Sequence, residues 1–374
     1  GLAAQAHGAG DGAERSAILF RALMIGGAAG LALILLQWPL FAAALWLSPG
    51  SPQVEGLARD YLSLRIWGAP ATIALYAVTG WLIAVERTRA VLVLQLWING
   101  VNIALDLWFV LGLGWGVRGV AGATLIAEWS GLVFGLWLCR EAFGPAARAA
   151  WARVADAVAL RRMASVNGDI MVRSVLLQGS FTTFLFLGAG QGDVTLAANQ
   201  VLLQFLSIAA YALDGFAFAA ESLVGQAVGA RRPAMLRRGA WLTSVWGLVG
   251  ILALCAAYAV AGGAIIDLMA ADPAVRAEAR VFLPWLVAAP LIGLASWMLD
   301  GIFIGATMTA LMRNTMILSV AIYAVALAVL VPAFGNHGLW ASLMVLNVAR
   351  GVTMGLKWPL VAARAAPLDP ARAG

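Results

Sequence analysis

Apolar stretches of membrane-spanning length recur along almost the whole chain, separated by short polar turns. A helix needs roughly 20 apolar residues to cross a bilayer. Ten runs meet that length: 17–47, 60–85, 90–112, 117–139, 165–189, 195–228, 240–270, 281–305, 311–334 and 338–362. The longest exceed one bilayer thickness and predict helices that are tilted, kinked or extended into a loop. Pro39, Pro70, Pro284 and Pro290 fall inside runs and are candidate kinks. The 140–164 segment breaks the pattern. It is arginine-rich and amphipathic, and predicts an extramembrane linker.

Composition makes this pattern decisive. The 374 residues are 63% hydrophobic and only 11% charged, whereas a soluble domain carries about 25% charged residues. No water-soluble surface can be built from this chain. The chain has 16 Trp against 5 Tyr, and several of the Trp lie near the ends of apolar runs, where amphipathic rings anchor at lipid headgroups. The net charge of +6 would suggest nucleic acid in a soluble protein. Here the basic residues sit in short loops, where membrane orientation explains them, and no nucleic-acid partner is expected.

Alternating the spans puts Arg15, Arg87, Arg89, Arg140, Arg148, Arg153, Arg161, Arg162, Arg231, Arg232, Arg237, Arg238, Arg313, Arg364 and Arg372 on one side. The other side receives only Arg59, Arg118, Arg276 and Arg280. By the positive-inside rule the first side is cytoplasmic, which predicts a multi-pass inner (plasma) membrane protein with both chain ends in the cytoplasm.

The two halves resemble each other at an offset of about 220 residues. Gln5-Ala6-His7-Gly8-Ala9 matches Gln226-Ala227-Val228-Gly229-Ala230, Ala69-Pro70 matches Ala289-Pro290, and Gly80 matches Gly301. Gly119 to Ala123 matches Gly338 to Ser342. Four matches in order predict an all-α polytopic bundle of two pseudo-symmetric lobes, the architecture of secondary transporters with a site near the midplane. The expected division is an N-terminal lobe over 1–140, a cytoplasmic linker over 141–164, a C-terminal lobe over 165–362 and a tail over 363–374. In the second half two spans, 165–189 and 195–228, precede the Gln-Ala motif, and in the first half none does. Repeat logic therefore expects two more helices ahead of Gly1 and twelve spans in the complete protein.

Ala198-Asn199-Gln200-Val201-Leu202-Leu203-Gln204, Leu213-Asp214-Gly215-Phe216-Ala217-Phe218-Ala219-Ala220-Glu221 and Gly225 to Ala230 resemble the multidrug and toxic compound extrusion (MATE) family, in its DNA-damage-inducible F branch. Leu299-Asp300-Gly301 to Thr307, and Asn102-Ile103-Ala104-Leu105-Asp106 with Gly116 to Ala121, carry the same resemblance. It implies two six-helix lobes, alternating access, and export of amphipathic, often cationic compounds. The implied driving force is a proton gradient, with sodium as the alternative and no cofactor. The family's best-known proton-site carboxylate lies on the first helix, one of the two expected ahead of Gly1.

Ionisable groups inside a membrane are costly and mark function by default. Asp106 has Asn102 and Asn99 four and seven residues earlier, on one helical face. Amide partners and partial burial would suit it to proton exchange, and the resemblance implies that this helix serves the coupling site. Asp214 and Glu221, seven residues apart, are cavity or gating candidates. Asp300, whose first-lobe counterpart is Thr79, is a candidate for attracting a cationic substrate. Asn199, Gln200 and Gln204 either line the cavity or bond helices together. Asp169 and Arg173, four apart, predict an intrahelical ion pair. Glu128 and Arg350 read as helix-packing charges.

Other chemistry finds little support. Cys139 and Cys255 lie inside apolar runs as small core residues, and His7 and His337 offer no metal framework. Gly26-Gly27 and Gly262-Gly263 suit close helix approach. No phosphate-binding loop is present, and Gly8 to Gly12 follows no strand. A membrane-embedded enzyme would need clustered His, Cys or paired Asp motifs, and none is visible. The expected partners are small amphipathic organic substrates and the bilayer, with the protein monomeric. The alternative is a lipid-linked oligosaccharide or lipid flippase of similar architecture, which would need a strongly cationic cavity.

Overall fold

The computed structural model describes residues 1–47, 51–145 and 147–367. Arg372 and the rest of the expected tail beyond 367 lie outside the described residues. Helices come in the order α1 (Leu2–Gly8), α2 (Gly12–Leu35), α3 (Gln37–Leu47), α4 (Pro52–Arg65), α5 (Ala69–Ala84), α6 (Thr88–Asp106), α7 (Gly116–Leu138) and α8 (Ala147–Val154). They continue as α9 (Ala157–Ala189), α10 (Asp193–Gly229), α11 (Pro233–Met269), α12 (Pro273–Gly305), α13 (Thr309–Phe334), α14 (Asn336–Gly355) and α15 (Trp358–Arg364). No strand occurs among the described residues.

Among the described residues, nine helical stretches are long and apolar enough to cross a bilayer, and a tenth is added if α14 and α15, bent by 46°, form one span. At 1.5 Å per residue a 37-residue helix such as α10 is about 55 Å long. It must tilt or project beyond the hydrocarbon. Helix starts are written in local chemistry. The carboxylate of Asp11 accepts from the Glu14 amide at 3.0 Å at the start of α2, and Asp272 does the same for Ala274 at 2.8 Å ahead of α12. The expected bends fall differently at each proline. The first run breaks at Leu36, just ahead of Pro39, and a 3-10 turn over Ile66–Gly68 precedes Pro70. Pro284 and Pro290 sit inside an unbroken α12.

The chain divides into two compact units, Gly10–Leu160 and Gly1–Ala9 with Arg161–Gly374. The boundaries thus differ from a first lobe starting at residue 1, because α1 packs against α10. Nor is 141–164 a free linker: α8 lies on α2, and α9 begins at Ala157 and runs on as a span.

In the unit Gly10–Leu160, a Cβ at Gly30 would collide with the backbone of Pro70, so α2 and α5 touch without side chains between them. Arg65 and Glu128 form a two-pronged pair at 2.7 and 2.8 Å that joins α4 to α7. This gives Glu128 the packing role its sequence position suggested. The α8 contact rests on Arg21, which is 2% exposed. Its guanidinium donates to the carbonyls of Arg153 at 2.6 Å and Val154 at 3.4 Å and to Glu14 at 2.7 Å. Phe20 stacks on Trp151 with centroids 5.1 Å apart beside the buried Ala17, Ala150 and Val154.

In the other unit, Gly301 and Gly305 of α12 press on the backbone of Ala217 and Glu221 of α10. The two copies of the Gln-Ala motif meet there as well. Gly8 abuts the backbone of Gln226, and Gly229 abuts that of Gln5. Gln5 also donates to the Gly305 carbonyl at 2.9 Å, tying α1 to the end of α12.

Candidate functional site

A cavity of about 600 Å³ opens among α9, α10 and α12, within the size range of small-molecule sites. Within the wall supplied by α10 runs a polar and aromatic stripe, Gln200, Gln204, Ser207, Tyr211, Asp214, Phe218 and Glu221, flanked by Leu203, Leu206, Ala210 and Ala217. The spacing of the stripe alternates four and three residues, so all seven stack on one helical face. Helix α9 adds Arg173, Gln178 and Phe181, and α12 adds Trp297 and Asp300. The lining therefore combines amides, aromatic rings and three carboxylates with one guanidinium.

That guanidinium is already engaged. Arg173 donates to Asp300 Oδ2, and the same oxygen accepts from Arg350 Nη2 at 2.6 Å. Arg350 is 2% exposed and turns its other nitrogen to Asn347 at 3.4 Å. Asp300 is thus clamped between two cations, and of the other two lining carboxylates Glu221 pairs with the Gly1 amine while Asp214 forms no ion pair among the described residues.

Several expectations are corrected here. Asp169 and Arg173 do not pair with each other. Asp169 accepts from Arg313 of α13 at 2.5 Å and from Thr309 at 3.0 Å, while Arg173 reaches α12. One turn apart, they face different neighbours, and bonds between helices win over the local pair. Arg350 is more than a packing charge, since it sits at the heart of the clamp. Asn199 does not line the cavity: its amide exchanges hydrogen bonds with Asn336 at 2.7 and 3.0 Å and accepts from Trp340 at 2.9 Å. Gln200 and Gln204 do line it.

The Asn99–Asn102–Asp106 face does not form a network. Asn99 is exposed and donates to the Gln95 carbonyl at 2.9 Å on its own helix, and Asn102 donates to Thr124 of α7 at 3.2 Å. Asp106 ends α6, where the helix widens into a π-turn over Leu107–Gly112. Its Oδ1 is buried without a hydrogen-bond partner among the described residues. Sequence reasoning overlooked Gln178, Ser207, Tyr211, Phe218 and Trp297. The four–three spacing through Ser207, Tyr211 and Phe218 was the available signal.

No group of three or more metal-ligating side chains occurs among the described residues.

The MatE family model matches residues 1–108 and 170–330. The chain belongs to the MATE family. It is 38% identical over 371 residues to the DNA damage-inducible protein F of Escherichia coli, covering 96% of this chain and 78% of that protein. The probable multidrug resistance protein NorM of Bradyrhizobium diazoefficiens is 29% identical over 68% of this chain and 56% of its own length. Among solved structures, the Vibrio cholerae MATE transporter VcmN in its bent form superimposes with a TM-score of 0.83. It covers 97% of this chain and 83% of VcmN at 19% identity, which speaks for the fold alone. MATE-family proteins are membrane transporters, not enzymes, and multidrug efflux is the kind of work their relatives' names describe. The helical, membrane-spanning architecture read from the sequence is therefore that of a MATE transporter.

Proposed function

We propose that this MATE-family chain exports amphipathic organic cations from the cell in exchange for protons by alternating access, with the cavity of α9, α10 and α12 receiving the substrate. The observation that supports this reading is the Gln200–Glu221 stripe. Tyr211 and Phe218 offer flat faces to an apolar cation, Asp214 and Glu221 offer charge, and the amides offer adaptable hydrogen bonds. A lipid-linked pyrophosphate would need the opposite polarity, and the one guanidinium among the described wall residues is bound to Asp300. Asp106 is the coupling candidate, supported by its buried Oδ1, which meets no hydrogen-bond partner among the described residues, since an intramembrane carboxylate without a structural partner marks function.

The test is fluorescent-cation uptake into inside-out vesicles under an imposed pH gradient. We expect gradient-dependent uptake that is abolished by Asp106→Asn, and an apparent affinity weakened about tenfold or more by the Asp214→Asn/Glu221→Gln pair. Uptake by the Asp106→Asn protein equal to wild type sinks the coupling assignment. An unchanged affinity in the paired variant sinks the cavity assignment. Uptake that follows a sodium gradient at equal pH would replace the proton as the coupling ion.

A further inference from the structure

The second large concavity of the unit containing α9–α15 lies away from the polar cavity, where the start of α11 meets α12 and α15. It is a groove of about 940 Å³. Its floor is apolar, with Leu299 and Ile302 of α12, Ala240 of α11 and the ring of Trp358. Its rim carries Arg237, Arg238 and Trp241. Trp241 is 64% exposed, so a large indole stands free beside the two guanidiniums.

Charge decides what this groove fits. Both arginines are exposed, and neither forms an ion pair among the described residues. No acidic side chain lines the groove among the described residues. The nearest carboxylate along α12, Asp300, is buried and consumed by Arg173 and Arg350. Exposed Lys357 adjoins Trp358 at the 46° bend between α14 and α15, adding a further positive charge on this side. Arg237 and Arg238 belong to the second turn of α11, on the arginine-rich side of the chain.

We propose that this groove is a binding site for an anionic phospholipid, whose phosphate lies against Arg237 and Arg238 and whose acyl chains run along Leu299, Ile302 and Trp358. A basic rim over an apolar trough between spanning helices matches both parts of such a lipid. Trp241 and Trp358 suit the boundary between them. A soluble phosphate would use the rim and leave the trough uncovered.

Native mass spectrometry of the protein released from mixed micelles of phosphatidylglycerol and phosphatidylcholine tests the assignment. Wild type is expected to retain phosphatidylglycerol in preference, one molecule surviving the most activation. Each arginine near an anionic surface is worth roughly fivefold, so Arg237→Gln/Arg238→Gln should cut the preference roughly 25-fold. Trp241→Ala and Ile302→Ala should weaken retention of both lipids. The pair Arg89→Gln/Arg148→Gln, exposed on the other unit and removing the same charge, should leave it unchanged. Equal retention of the two lipids by wild type overturns the proposal. So does an equal loss in the two arginine pairs, or competition by inorganic phosphate that displaces the lipid completely at millimolar concentration. Cation export by the Arg237→Gln/Arg238→Gln protein is read in parallel, so failure of the lipid site is distinguishable from failure of the transport reading.

Discussion

Arg350 Nη2 lies 2.6 Å from Asp300 Oδ2, and this guanidinium, 2% exposed, is among the most buried charges of the molecule. It could not be buried alone. Removing one partner of a buried ion pair strands the other and typically costs about 3–5 kcal/mol. Asp300→Asn should therefore lower the melting temperature of the purified protein sharply. Replacing Arg173, Asp300 and Arg350 together with apolar residues of similar volume should restore much of the loss. A melting temperature unchanged in Asp300→Asn would mean that the clamp is not formed in solution.

Asn199 offers a second stability test that separates packing from transport. Its amide holds Asn336 and Trp340 in a fully buried knot at 2.7–3.0 Å. Asn199→Leu leaves two polar partners unmet, at roughly 1–3 kcal/mol each. Melting should drop, while the substrate affinity of the surviving folded protein stays at the wild-type value. A change in affinity at constant stability would return Asn199 to the cavity.

The contact between α8 and α2 carries a pH dependence. The Glu14 backbone amide first, and then the Arg153 side chain, hold the Asp11 carboxyl below the usual carboxylate range. A depressed folded-state value contributes stability that is present above the unfolded value, about 3.9, and lost as pH falls through the folded one. Protection of the α8 amides against hydrogen exchange should thus hold at neutral pH and fall below about pH 4. Asp11→Asn should remove the step. The same step in the variant would assign it elsewhere.

Crowding at the motif contact gives a fourth expectation. Gly229→Val forces a side chain into the backbone of Gln5. Since helix backbones cannot yield as a flexible side chain does, α1 should detach from α10. Cleavage of the released α1 segment by an added protease is expected to accelerate several-fold, an overpacking cost of about 1–3 kcal/mol. Gly27→Ala, where a Cβ meets open space, serves as the silent control.

The spans were legible because a bilayer imposes length and apolarity on every helix, and those are properties of a run of residues. The α10 stripe was half legible: Asp214 and Glu221 share a face by spacing alone. The pairings were not. The i to i+4 relation of Asp169 and Arg173 is local, whereas their actual partners, Arg313 and Asp300, are 144 and 127 residues away. Nothing in one sequence says which distant charge a helix will face. Arg350 was undervalued for the same reason. The partners of Asp106 were not legible either, because the shared face with Asn99 and Asn102 assumes a regular helix turned toward a single neighbour. Instead Asn102 spends its amide on Thr124, and the π-turn begins immediately after Asp106.

The Gly8–Gln226 and Gly229–Gln5 contacts have a bearing on how such a chain can change over generations. Each copy of the repeated motif is the surface against which the other is fitted. A bulkier residue acquired in one half is penalised by the backbone of the other, so the two halves cannot drift independently at this point.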